Sequence, residues 1–285
     1  MSFIQSLSWF QRRAFAGAAR MLCIAAAAAL LSSCTTSSTS IMAPPSVTSS
    51  LAPTGKLRVA INYGNAVLAA RNEATGELTG TSVDLARELA RRLGVEPVFT
   101  GFPTAGRVVD TVKTGSIDLL FLAIDPLRAN EISYTAAYVV IEGAYAVPNA
   151  SPIQRNEDVD KKGVRVVVGG GSAYDLYLTR EIKSAEIVRV ANSQLVVDTM
   201  VEKKLEVAAG VKQQQEKDLK RVPGLRLLPG RFMEINQAMG TPKGRSDEAV
   251  AYLRSFIEEM KSAGFVGNAL TRHRIEGAAV APLAK

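Results

Sequence analysis

The sequence predicts an α/β protein of two lobes joined by a pair of strands. Three observations lead there. Apolar runs of strand length alternate with amphipathic stretches of helical period from residue 55 to residue 274. One run, 117–124, is apolar almost throughout, which suits a strand covered on both faces. The β-α-β-α-β scheme also occurs twice, so each half should hold a largely parallel sheet with right-handed crossovers.

The elements follow in order. Residues 57–61 (LRVAI) read as a buried strand, and Thr75-Gly76 as a hairpin turn within 73–79. Thr81-Ser82-Val83-Asp84 matches the start signal of a helix, with Thr81 as cap. Along that helix Leu85, Leu89 and Leu93 form one stripe, and Gly94 offers a left-handed stop. A strand at 95–100 follows. Thr104 then caps a helix that runs to Gly115, with Val108, Val109 and Val112 inward. The second unit has strands at 164–168, 187–190, 207–209 and 225–228 and helices at 173–183, 193–204 and 212–222. A strand at 235–239 returns the chain, and two helices, 247–263 and 265–274, part at Gly264. The second unit is thus inserted within the first. A cleft between such lobes is where small ligands usually bind.

The N-terminus sets the compartment. Arg12, Arg13 and Arg20 precede an apolar run at 21–31 that is too short for a membrane span. It has the flanks of a secretory leader, and Leu31-Ser32-Ser33-Cys34 resembles a bacterial lipobox. Cleavage would leave residues 1–33 as signal peptide and Cys34 as an acylated first residue. Arg12-Arg13-Ala14-Phe15 partly matches a twin-arginine export motif. Residues 34–54 are rich in Ser, Thr and Pro and read as a flexible tether, and 275–285 as a frayed tail. With Cys23 in the leader, no disulfide is possible within one mature chain.

The net charge of +7 overstates the mature protein: 34 basic residues less the three leader arginines, against 27 acidic ones, leave +4. The basic cluster at 212–221 contains Glu216 and Asp218, so it reads as a solvated helix face and excludes a nucleic-acid patch. One Cys and one His, His273, leave no metal-ligand spacing and no activated nucleophile. No cofactor is expected.

From Gly55 to Arg274 the chain resembles the bacterial extracellular solute-binding proteins of family 3, the polar amino-acid receptors of ABC importers. The resemblance rests on phrases in order: "GKLRVAI", "GTSVDLARELARRLG", "KTGSIDLL", "DPLRANEISYTAAYV", "KKGVRVVVGGGSAYDLYL" and "QAMGTPKGRSDEAVAYLRSFIEEMKSAGF". It implies a periplasmic binding protein-like type II fold that closes about a two-strand hinge. The lobes would be 55–147 with 237–274, and 148–236. It also implies a monomer that is membrane-anchored on the periplasmic side, binds a small anionic or zwitterionic solute and delivers it to an ABC permease.

On its own, Arg128 reads as a surface residue at a short turn, with Asp125 as cap and Pro126 in its first position. The resemblance implies instead the arginine that clasps a ligand carboxylate through a planar, always-charged fork. Gly169-Gly170-Gly171-Ser172 precedes a helix, where free N–H groups suit an anion. It reads equally as a plain turn capped by Ser172. The resemblance implies a carboxylate cradle with Ala173 in place of the usual Thr. No Gly-Lys-Ser/Thr follows, which excludes a phosphate P-loop. Tyr63 would be the aromatic that stacks on the ligand.

Three departures stand out. Gly80-Thr81-Ser82 replaces the usual Gly-aromatic-Asp, and Ala123-Ile124-Asp125 lacks the usual Ser-x-Thr. Lys212 and Gln213 stand where an acid would hold an α-ammonium, leaving Asp125, Glu142 or Asp175 to serve. The ligand is thus a carboxylate without an amino group or an amino acid held differently. An alternative is a dehydratase or lyase on the same scaffold, with Glu142 or Asp175 as acid/base. A sensory lipoprotein is a third.

Overall fold

The computed structural model describes residues 42–284. The expected leader, Cys34 and the first part of the tether lie outside them. The described part of the tether differs from expectation. Pro45–Leu51 forms α1, with Pro at its first position, and Val47 and Leu51 are buried against α7 (Asp247–Ser262). Two apolar residues one helical turn apart outweigh the Ser/Thr bias once a partner face exists.

The first unit holds β1 (Lys56–Asn62), the short hairpin β2 (Ala70–Arg71) and β3 (Leu78–Thr79), α2 (Thr81–Leu93), β4 (Glu96–Phe102), α3 (Ala105–Lys113) and β5 (Leu119–Ala123). Gly94 is the left-handed stop, and Thr104 Oγ1 accepts from Arg107 N, as expected. Thr81 is not the cap. Gly80, at φ 124°, takes that place because a Cβ there would meet Leu68 O at 2.4 Å. Asp84 is drawn instead to Arg272 and His273, each at 2.8 Å. Arg92, nearly buried, forks onto Glu259 at 2.7 Å and bonds Glu88, so α2 is tied to α7.

A 17-residue strand, β6 (Ile132–Pro148), then leaves the first unit. The second unit comprises β7 (Arg165–Gly169), α4 (Ala173–Glu181), β8 (Glu186–Val190), α5 (Val196–Glu202), β9 (Val207–Val211), α6 (Lys212–Arg221) and β10 (Leu225–Leu227). β11 (Met233–Pro242) returns antiparallel to β6, and α7, α8 (Phe265–Arg272) and β12 (Ala279–Val280) close the chain.

The large sheet runs β4-β1-β5-β11-β6-β9-β7-β8, with β10 and β12 also on β6. Its outer parts are parallel, as expected (β1 with β4 and β5; β7 with β8 and β9). Its centre is antiparallel, because β6 and β11 pass between the units. Separate apolar cores cover both faces at each end. Leu57, Leu85, Leu89 and Phe256 lie in one, and Val108 and Leu120 in its opposite-face partner. Val166 and Leu178 lie in a third, Val167 and Met200 in a fourth. Val211 and Met233 pack against the first and the third and so mark the joint. The fold is therefore periplasmic binding protein-like type II.

Nor does the C-terminal segment fray. β12 pairs with Val139 and Val140, Ala281 is buried, and Lys261 Nζ donates to Pro282 O at 2.8 Å.

Truncating Leu51 to Ala is expected to cost about 2–4 kcal/mol, the scale for a buried leucine whose site does not collapse. Urea denaturation of the variant measures it. A change under about 0.5 kcal/mol would show that α1 is not part of the core.

Candidate functional site

A cavity of about 340 Å³ lies between the units. The ends of β1, β5 and β7 open onto it through Asn62, Ala123 and Gly170, and the start of α6 through Val211 and Gln213. This is where loops at strand ends gather in α/β sheets.

Arg128 lines the cavity and is only 4% exposed. The turn that carries it is capped as expected: Leu127 N and Arg128 N donate to Asp125 Oδ1 at 2.9 and 3.4 Å. Its guanidinium reaches backbone, not a carboxylate. Nη1 donates to Ala123 O at 3.1 Å, and Nη2 to Gly171 O at 2.8 Å across the cleft. Burial lowers the pKa of the guanidinium, with Tyr134 and Asp125 working the other way. Tyr134, whose pKa burial pushes up to about 12, donates to the same Ala123 carbonyl at 3.3 Å. A buried cation with no carboxylate hydrogen-bonded to it is one a ligand carboxylate would neutralise.

Opposite stands the glycine-rich turn. Ser172 caps α4, its Oγ accepting from Asp175 N at 3.0 Å, and Ser172 and Ala173 both line the cavity. Gly171 sits at φ 71°, and a Cβ on it would lie 3.3 Å from Gly106 Cα, so backbones from the two units touch here. Its N–H is spent on Asp175 Oδ2 at 2.8 Å. The cleft is further bridged by Asp125–Arg180 at 2.9 Å and by Gln194 Nε2 to Gly64 O at 3.3 Å.

The cavity lining thus brings together Arg128, Ser172 and Ala173 of the expected set. Gly171 and Asp125 stand behind it, in the bonds just described. Tyr63 does not line it. The ring lies under the Arg71 guanidinium, 5.7 Å away, and packs beside Gly101, because β1 ends with Asn62 rather than Tyr63 facing inward. Glu142 and Asp175 are also away from the cavity. Glu142 on β6 pairs with Lys212 at 2.9 Å and Arg231 at 3.0 Å, and Asp175 with Arg189 at 3.0 Å. Sequence reading missed the amides Asn62, Asn65, Asn192, Gln214, Gln215 and Gln237, which join Gln213 in the polar lining. The Gln213-Gln214-Gln215 run was the available signal, but lone amides carry no motif. Among the described residues, no group of His, Cys, Asp or Glu could hold a metal ion, and no helix is long and apolar enough to cross a membrane.

Two outcomes follow from this geometry. Arg180→Glu sets like charges against Asp125. Because such a partly exposed pair is worth about 0–1 kcal/mol, the separation of the units should grow severalfold in population. Small-angle scattering at low salt would read this as a larger radius of gyration, and an unchanged radius would rule the latch out. Glu142 has its pKa held below the usual carboxylate range by its bonds to Lys212 and Arg231. The stability it contributes is present above its ordinary pKa and is lost as pH falls through the lowered one. The midpoint of thermal unfolding should thus fall less steeply below pH 4.5 in Glu142→Gln than in the wild type.

Comparison with known proteins agrees with this architecture. A histidine-binding periplasmic protein of Salmonella typhimurium is 28% identical over 145 residues, 48% of this chain and 53% of that protein. The chain thus spans about half the length of that relative. A probable histidine-binding protein of Campylobacter jejuni is 21% identical over 207 residues, 70% of this chain and 78% of that protein. Among solved structures, a mutant of ArgBP from T. maritima superposes with a TM-score of 0.68 at 20% identity, covering 81% of this chain and 100% of that one; this likeness is one of fold. The sequence profile of the bacterial extracellular solute-binding proteins, family 3, matches residues 57–273, and the chain belongs to that family.

Proposed function

We propose that this protein is the extracytoplasmic receptor of an ABC importer. It takes an amino acid or another small carboxylate into the cleft between a lobe of residues 55–147 with 237–274 and a lobe of residues 148–236. The observation that carries the reading is Arg128: buried, on the cavity wall, hydrogen-bonded to no carboxylate, and reaching the opposite lobe at Gly171. A ligand that touches both lobes favours the closed arrangement over the open one. The relatives named for histidine binding support an amino-acid-sized solute. The leader-like start and the lipobox-like Leu31-Ser32-Ser33-Cys34 support export to the periplasm with a lipid anchor. The dehydratase alternative loses support from the placement of its acids. Glu142 and Asp175 are committed to ion pairs away from the cavity.

Arg128→Ala should weaken a bound carboxylate by about 1.5–3 kcal/mol, the scale for hydrogen bonds to charged groups. The ligand would first be found by a thermal-shift screen of amino and organic acids and then titrated calorimetrically. Unchanged affinity in the variant would remove Arg128 from the binding role and the reading with it.

A further inference from the structure

The charges and hydrogen-bonding groups around the cavity restrict what lies next to the ligand carboxylate. Of the charged lining residues, Lys217, Lys220, Arg274, Glu216 and Glu276 are exposed to solvent, and only Arg128 and Asp218 are buried. The three acids of the lining offer no buried, unpaired carboxylate beside Arg128. Glu216 and Glu276 are exposed, and Asp218, though buried, accepts from Gln214 Nε2 at 2.9 Å and Arg221 at 3.1 Å. Asp218 also lies six residues into α6, about 9 Å along its axis from the end that opens on the cavity. A ligand carboxylate neutralises the buried Arg128, whereas an ammonium beside it would find no buried free acid to pair with.

Two observations at the start of α6 sharpen this. Its N-cap is Val211, so no side chain caps the first turn, and Val211 lines the cavity. The N–H groups of that turn and the positive end of the helix disfavour an ammonium. Gln213 and Gln215 line the same cavity, and each has a buried Oε1 with no hydrogen-bond partner; Gln215 is only 2% exposed. A group set between free N–H donors and bare amide oxygens must accept and donate together. A hydroxyl does both, and still does if either amide is turned over. An ammonium only donates.

Resting on the receptor reading above, we infer that the cleft selects a hydroxycarboxylate, with the carboxylate on Arg128 and the hydroxyl between the α6 N-terminus and the amides of Gln213 and Gln215. Matched pairs test it by calorimetry on the purified protein: lactate and alanine, malate and aspartate, 3-phenyllactate and phenylalanine, imidazole-lactate and histidine. In at least one pair the hydroxy acid should bind at least about tenfold tighter than its amino counterpart. Gln215→Glu, nearly isosteric and adding the missing negative charge, should move that ratio at least about fivefold toward the amino acid. Equal or tighter binding of the amino acid in every pair that binds overturns the hydroxyl assignment and leaves the carboxylate receptor standing. Failure of both series, with Arg128→Ala also without effect on any ligand the broader screen finds, overturns the receptor reading and this inference together.

Discussion

The antiparallel ladder between β6 and β11 is the constraint on which everything else hangs. Both strands pass from one unit to the other, and nine residue pairs run from Met233↔Gly143 to Pro242↔Ile132, interrupted by register shifts on either side of Ala238. Each unit has its own cores, so the ladder is what holds them at a fixed spacing. Bulges concentrate twist and bending where pairing is interrupted. Here they fall at Gln237 and Ala238, beside the cavity wall and level with Ala123 of β5. The place where the backbone gives most easily is also the floor of the cleft.

Around that floor the molecule spends its acids on structure. Asp118, fully buried, takes Arg58 and Arg245 and so pins β1 and β5 to the start of α7. Arg245 in turn donates to Ser50 O, which fastens α1 to the same node. Glu142, Asp175 and Asp84 are committed in the same way. The cavity wall is left with amides, small side chains and one buried guanidinium, Arg128, while its other cations are exposed. Such a surface is selective by shape and by hydrogen-bond polarity, with the buried cation setting the sign of what enters.

Much of the fold was legible because local rules and tertiary packing agreed. Gly94, Thr104 and Ser172 punctuate their helices as their chemistry dictates, and the two β-α-β runs form the two parallel ends of the sheet. The failures have physical causes. β6 mixes small, aromatic and charged residues without alternation, because its side chains enter four different cores along its length; no single period describes it. The stretch at 45–51 is polar by composition, and its helix exists only because α7 offers Val47 and Leu51 a surface. Thr81 carries the start signal, yet the chain's close approach to Leu68 gives that position to Gly80. At the site, Arg128 and the glycine turn announce themselves because their chemistry is unusual. Tyr63 misleads because strand ends fix which neighbour faces inward, and the glutamines pass unnoticed because a neutral amide gains meaning only from the groups left around it.

The final strand, β12, is zipped onto β6 at Val139 and Val140, while Gly277 just before it lies against the Gln213 side chain of α6, whose Nε2 would be 3.0 Å from a Cβ placed there. Residues 276–284 therefore straddle the joint, fixed to one body and resting against the other. Rocking of the two halves would slide Gln213 past Gly277, so a dye or spin label placed near Ala278 would report that slip from the rim of the cleft.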